Sequence, residues 1–284
     1  APAERFVWGI LPHAARSFAP CILALPARLA LPAALGYLYC RVLDTYEDLV
    51  QDRVRRFEAL ALLPERLGAI RRGAHVEECP AQEYTCRDRR DEAHALLARE
   101  VGRLDQLFRE MDEPVQEILL DLVRDMSEGM RWAGWVLDEQ GGALKDAKQL
   151  RTYCEAVLGN PIRFAARLFS WGRGKGVVLP RGVETAAMDV GEFLQLANIT
   201  RDIEKDLARG VSYHPKLAGD VRGLGADGGA MRILAARSVL VDRALSLSPA
   251  YLELVDGLKL KAGWLSASAL LMLRFTERYY VSCA

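Results

Sequence analysis

The sequence predicts an all-α fold, and three observations carry that prediction. Alternating Val/Ile/Thr-rich runs between turns are nearly absent from the 284 residues. Long stretches rich in Ala, Leu, Glu and Arg repeat their apolar positions at helical spacing. Pro64, Pro80, Pro114 and Pro180 fall at or near the ends of those stretches. In chain order, the pattern predicts helices over 31–52, 54–70, 82–110, 114–139, 146–172, 184–208, 228–246 and 249–280. "GRGKG" (Gly172–Gly176) and "GLGADGG" (Gly223–Gly229) read as loops. There is no repeat of fixed period, no low-complexity segment and no charge block. The expectation is one all-α domain over 1–284 with roughly eight to ten helices.

Composition narrows the function classes. Hydrophobic residues are 51% and charged residues 27%, ordinary for a globular protein. Lys+Arg and Asp+Glu both number 38, so charge is used locally rather than as a global field. With 8% aromatics and no basic–aromatic interleaving, nucleic acid is not an expected partner. Six cysteines form no C-x-x-C pair, and four scattered histidines build no zinc site, so reduced thiols in a cytoplasmic protein are expected. Cys40 and Cys154 lie in apolar helical patterns and read as buried, inert thiols. His13, His75 and His94 read as surface or loop residues. The chain begins with Ala1, and no signal peptide is expected. The nearly apolar stretch Phe18–Cys40 is split by Arg28 and punctuated by Pro20, Pro26 and Pro32, so it is not read as a membrane span.

Two acidic stripes are the chemistry-bearing features. In "RVLDTYEDLV" (Arg41–Val50), Tyr37, Arg41, Asp44 and Asp48 share one narrow wedge of a helix. Leu35, Leu38, Tyr39, Val42, Leu43, Tyr46, Leu49 and Val50 cover much of the rest, the mark of a buried helix. In "LQLANITRDIEKDLARG" (Leu194–Gly210), Gln195, Asn198, Asp202 and Asp206 form a second wedge, bordered by Ile199, Ile203 and Leu207. One Asp pair a turn apart is most often a solvated face. Two such pairs on apolar-flanked helices, each with a nearby Arg, point instead to acids facing a cavity, where they need a cation. Mg²⁺ takes one or two carboxylates plus waters and phosphate oxygens. Facing aspartate pairs suit a diphosphate, whose leaving charge the cations and arginines would stabilise.

At these residues the sequence resembles the squalene/phytoene synthases, the head-to-head prenyl transferases. "RVLDTYED" matches the family's Arg-x-x-Asp-x-x-x-Asp, and "QLANITRDIEKD" its Gln-x-x-Asn-x-x-Arg-Asp-x-x-x-Asp. "ARSF" (Ala15–Phe18), "DMSEGM" (Asp125–Met130), "YCEAVLG" (Tyr153–Gly159) and "DLARGVSYHP" are similar to further family segments, in order from Arg16 to Pro215. The resemblance implies an isoprenoid-synthase fold around a deep central cavity. It implies Mg²⁺ on Asp44, Asp48, Asp202 and Asp206, assisted by Asn198 and Glu47. Arg41 and Arg201, with Arg16 and Ser17, would meet diphosphate; Phe18 and Gln195 would touch substrate; Tyr37 and Tyr153 would line the reaction centre. Trp132, Trp135, Met126 and Met130, at helical spacing, read as core or cavity wall. Leu158 and Pro161-Ile162 depart from the family pattern on the wall that meets the prenyl chain, and Lys205 replaces the usual Glu before Asp206.

"LDTYED" is closer to the squalene-synthase form than to Asp-Asp-x-x-Asp. The implied reaction joins two farnesyl diphosphates through presqualene diphosphate to a C30 product, squalene where NADPH supplies hydride. Phytoene or dehydrosqualene synthesis and terpene cyclisation on the same fold stay open. A non-catalytic assembly role is disfavoured by the survival of all four aspartates and both arginines. The apolar substrate tails suggest peripheral membrane contact without a transmembrane segment.

Overall fold

Apolar residues at helical spacing fold into thirteen α-helices among the described residues. A computed structural model of the chain describes residues 2–15, 18–74, 76, 83–221, 229–260 and 264–283. Within these, the only β feature is one isolated bridge between Ala143 and Ser212.

Two helices precede the first one expected. α1 (Pro2–Ala15) buries Ala3, Val7, Ile10, Leu11 and Ala14 on one face despite Pro12, and α2 (Phe18–Leu23) follows. α3 (Ala27–Leu49) is the central helix, with Leu35, Leu38, Tyr39, Val42, Leu43 and Tyr46 essentially inaccessible. α4 (Arg53–Arg71) starts on Asp52, whose carboxylate accepts from the Arg55 N–H at 2.8 Å, and it contains Pro64 instead of ending there. The helix expected over 82–110 is two, α5 (Arg89–Arg99) and α6 (Val101–Arg109). Asp88 sets the later start, capping the N–H groups of Arg90 and Asp91. α7 (Glu113–Glu139) matches its expectation to within one residue.

The stretch expected as one helix over 146–172 runs continuously but changes pitch. α8 (Ala147–Cys154) passes through a π-turn, Glu155–Gly159, into α9 (Asn160–Gly172). Pro161 has no N–H to return to the preceding turn, and the Asn160 side-chain amide donates to the Ala156 carbonyl in its stead at 3.2 Å. α10 (Arg181–Ala208) leads through a 3₁₀ turn, Pro215–Asp220, to α11 (Gly229–Leu247). The last expected helix is also two, α12 (Pro249–Gly257) and α13 (Trp264–Cys283). Lys259, at φ 54°, ends α12: its N–H reaches the Asp256 carbonyl, and the Leu260 N–H reaches that of Val255. Arg173, in the "GRGKG" loop, donates to the carbonyls of Leu258 and Lys259 and locks that break in place. Most of the "GLGADGG" loop lies outside the described residues.

The packing order positions the site. α5, α7 and α9 pack on α3, while α9, the π-turn, α11 and α12 pack on α10. α9 is therefore a shared neighbour of the two acid-bearing helices. No described helix is long and apolar enough to cross a membrane.

Candidate active site

The acids of α3 lie at its C-terminal end, half-buried beside the core. Arg41 pairs with Asp44 at 2.9 Å and donates to the Tyr37 hydroxyl at 2.9 Å; Tyr37 in turn donates to the Ala14 carbonyl at 3.3 Å. The guanidinium is thus held on its own helix and pinned to α1. Its Nε–H is buried and unpartnered. Burial, followed by repulsion from Asp48 and Asp44, pushes the Glu47 carboxyl up to about 8. Burial also raises Asp44, with Asp48 adding to it and Arg41 opposing it. Arg90, Arg209 and Arg56 oppose these shifts from outside the stripe.

The acids of α10 reach the same place. Burial pushes Asp206 up to about 6; Arg209 opposes this, while Asp202 and Asp48 contribute. Asp48, from α3, is thus within electrostatic range of Asp206. The direct link is Arg209, whose guanidinium donates to Asp48. Arg209 caps α10, and Gly210 at φ 79° turns the chain back, so that the Val211 N–H closes on the Asp206 carbonyl at 2.9 Å. The returning segment is fastened to the α7–α8 loop: the Ser212 N–H donates to Gly142 O at 2.7 Å and the Leu144 N–H to Ser212 O at 3.0 Å. Gly142 sits at φ 92°, and a Cβ there would fall 2.3 Å from the Gly210 carbonyl oxygen.

That return carries Tyr213 under Tyr153. The rings stack with centroids 4.5 Å apart, and the Tyr153 hydroxyl donates to that of Tyr213 at 3.0 Å. Burial keeps both phenols protonated, and the Glu47 charge pushes in the same direction. Tyr153 is the penultimate residue of α8, two before the π-turn starts at Glu155, so the altered pitch begins close to the pair.

Among the other expected site residues, Phe18 packs on Tyr37 with centroids 5.7 Å apart. Asn198 donates to Gln195 at 3.0 Å, and Arg201, exposed, holds Asp202 at 2.7 Å. Arg16 and Ser17 lie outside the described residues, as does His75. His94 corrects the surface reading: it is 7% exposed on α5, with its Nε2 buried and unpartnered. Met126 and Met130 are core, whereas Trp135 is 53% exposed and is not core. Cys40 and Cys154 are buried thiols, as expected. Arg209, Tyr213, His94 and Arg90, which faces Asp44, were not singled out as site residues by spacing. The signal for the first two is their position directly after the second acidic stripe.

The hollow beside Asp206 is lined by Ile199, Ile203, Leu207, Tyr213 and Leu240 and holds about 10 Å³, room for a single water. Among the described residues, no three His, Cys, Asp or Glu side chains converge tightly enough to hold a metal on their own.

Comparisons with known proteins converge on one family. The model described as squalene/phytoene synthase matches residues 11–279. A squalene synthase of Mycosarcoma maydis is 28% identical over 215 residues, 75% of this chain and 35% of the relative. A squalene synthase of Rattus norvegicus is 26% identical over 207 residues, 72% of this chain and 45% of the relative. The chain thus spans about a third to a half of the length of these relatives. The fold is shared with TcSQS solved with a ligand (TM-score 0.73, 21% identity, 94% of this chain and 74% of that one). It is also shared with the squalene synthase HpnC from Alicyclobacillus acidocaldarius (TM-score 0.57, 20% identity, 98% and 95%). With the family model covering nearly the whole chain and both acidic stripes meeting at Arg209, the chain belongs to the squalene/phytoene synthase family.

Proposed function

We propose that the chain is a prenyltransferase joining two prenyl diphosphates head to head, with farnesyl diphosphate as the substrate and a C30 hydrocarbon as the product. The observation that carries this reading is the convergence of the acids of α3 and α10 around Arg209. Squalene synthases among the relatives support the choice of C30.

The donor set fits Mg²⁺. Glu47 and Asp206 are both pushed toward protonation, chiefly by burial and then by the neighbouring acids, and a bound cation would favour their charged forms. Asp44, Glu47, Asp48, Asn198, Asp202 and Asp206 would hold it, and it would supply charge neutralisation for a departing diphosphate. The chain's own residues do the rest. Arg41, braced by Tyr37 and Asp44, would bring its guanidinium to a phosphate oxygen; its Nε–H is buried and has a hydrogen bond still to make. The stacked phenols of Tyr153 and Tyr213 stay neutral and offer π-faces to a developing carbocation. Ile199, Ile203, Leu207 and Leu240 keep water from it.

The test is product analysis by mass spectrometry after incubation with farnesyl or geranylgeranyl diphosphate, with and without Mg²⁺ and NADPH. The expected result is a Mg²⁺-dependent C30 product from farnesyl diphosphate: squalene with NADPH, dehydrosqualene or presqualene diphosphate without it. A C40 product from geranylgeranyl diphosphate alone would move the substrate, and a C15 hydrocarbon would end the head-to-head reading.

A further inference from the structure

Arg209 stands where the two acidic helices meet. Its guanidinium donates to Asp48 and lies within the fields of Asp206 and Tyr213. Its backbone is fixed by the turn that ends α10, with the Gly210 N–H on Leu207 O at 3.0 Å and the Val211 N–H on Asp206 O at 2.9 Å. The side chain is not fixed in the same way. Arg209 and Asp48 are each 40% exposed, whereas a structural arginine of this fold, Arg66, is 7% exposed on its aspartate. A half-exposed pair of this kind is weak and exchangeable. Arg41 on Tyr37 and Asp44, Arg201 on Asp202, and Arg87 on Asp91 are already engaged, while Arg90 and Arg56 lie within the fields of Asp44 and Glu47. An Asp48 oxygen that accepts from a guanidinium is not free for a divalent cation. Once released, that guanidinium is a planar fork matched to phosphate oxygens.

We propose that Arg209 is a further diphosphate-binding residue that stands in for the cation on Asp48 while the site is empty and passes to the diphosphate when metal takes Asp48. This rests on the metal–diphosphate reading above. It makes Arg209 a competitor of the metal alone and a partner of the metal–diphosphate pair, so a single substitution has opposite effects on the two ligands. A brace that merely holds α10 against α3 has no such signature.

Calorimetry on the full chain separates these roles, using Mg²⁺ alone and then inorganic pyrophosphate in saturating Mg²⁺. Arg209→Gln is expected to bind Mg²⁺ alone roughly two- to fivefold more tightly, the worth of one half-exposed pair. It is expected to bind pyrophosphate about tenfold more weakly, the loss of one charged hydrogen bond. Arg209→Lys, which keeps the charge and loses the fork, is expected to fall between on both counts. Changes in the same direction for both ligands, or no change in either, would overturn the inference while leaving the metal reading intact. A wild-type chain that binds neither ligand would overturn both.

Discussion

Within ten residues, α3 carries two charged clusters built on opposite rules. At Tyr39 the charge is closed. The hydroxyl donates to Asp105 at 2.9 Å, Arg66 holds the other carboxylate oxygen at 2.5 Å, and the two charged side chains are 7% and 3% exposed. One positive group meets one negative group, and a phenol satisfies what remains. From Arg41 to Asp48 the charge is open. Asp44, Glu47 and Asp48 crowd one end of the helix and stay half-buried, with Glu47 driven up to about 8. Charge that only has to hold the fold is matched and sealed; charge that has to meet a ligand is crowded at an accessible edge. The buried cluster ties α3 to α4 and α6, the open one ties α3 to the end of α10, and both depend on the same rigid helix.

The comparison breaks if the two clusters respond alike to losing one charge. Asp105→Asn removes the charge that the buried Arg66 guanidinium pairs with and is expected to cost about 3–5 kcal/mol of stability, read by urea unfolding. Asp44→Asn or Asp202→Asn is expected to lower turnover roughly a hundredfold or more, with helical content and melting temperature retained. If Asp44→Asn unfolds the chain, or if its turnover persists, the open cluster is structural after all.

Gly142 sharpens the comparison by testing how the open cluster is held. Its added Cβ would lie 2.3 Å from Gly210 O and 2.7 Å from Val221, at a φ that already disfavours a side chain. Gly142→Ala is expected to cost about 1–3 kcal/mol and to weaken binding of pyrophosphate with Mg²⁺, because the displaced turn carries both Arg209 and Tyr213. Gly219→Ala, where a Cβ meets nothing within 4 Å, is the control and should change neither.

Both acidic stripes are legible from spacing alone, because a helix puts residues four apart on one face and the apolar residues around them show which face is buried. The closed cluster is not, since Tyr39, Arg66 and Asp105 come from three helices and no local pattern links them. Arg209 and Tyr213 escape for a similar reason: their place depends on the left-handed turn at Gly210 and the bridge to Ala143. The π-turn needs the Asn160 amide on Ala156, a side-chain bond invisible to periodicity. The break at Glu100 lies within one continuous helical pattern that holds no Pro to announce it. α1 is different. Its apolar period is present in the sequence, and Pro12 obscures it without breaking the helix.

His94 gives the smallest effect and the finest distinction, because it is buried without being paired. Its neighbours Arg87, Arg89 and Arg90 make the stretch read as solvent-facing, yet α5 turns the imidazole inward. Burial first, and then Arg41 and Arg90, hold it down at about 4, with Asp91 and Asp48 opposing. The folded value lies below the ordinary imidazole value of 6.5, so the folded chain holds a neutral ring and the unfolded chain takes a proton as pH falls below 6.5. Its contribution to stability is therefore complete above about 6.5 and is lost as pH falls toward about 4. By pH 5.5 the loss is about 1 kcal/mol. Unfolding free energies of wild type and His94→Gln, measured between pH 7.5 and about 5, are expected to fall more steeply for wild type, and the difference between them isolates this ring from the carboxylates that titrate in both. Parallel curves would mean that the folded chain protonates the imidazole as readily as the unfolded chain does. It would then belong with the open cluster, as a cation facing Asp48, and not with the sealed interior.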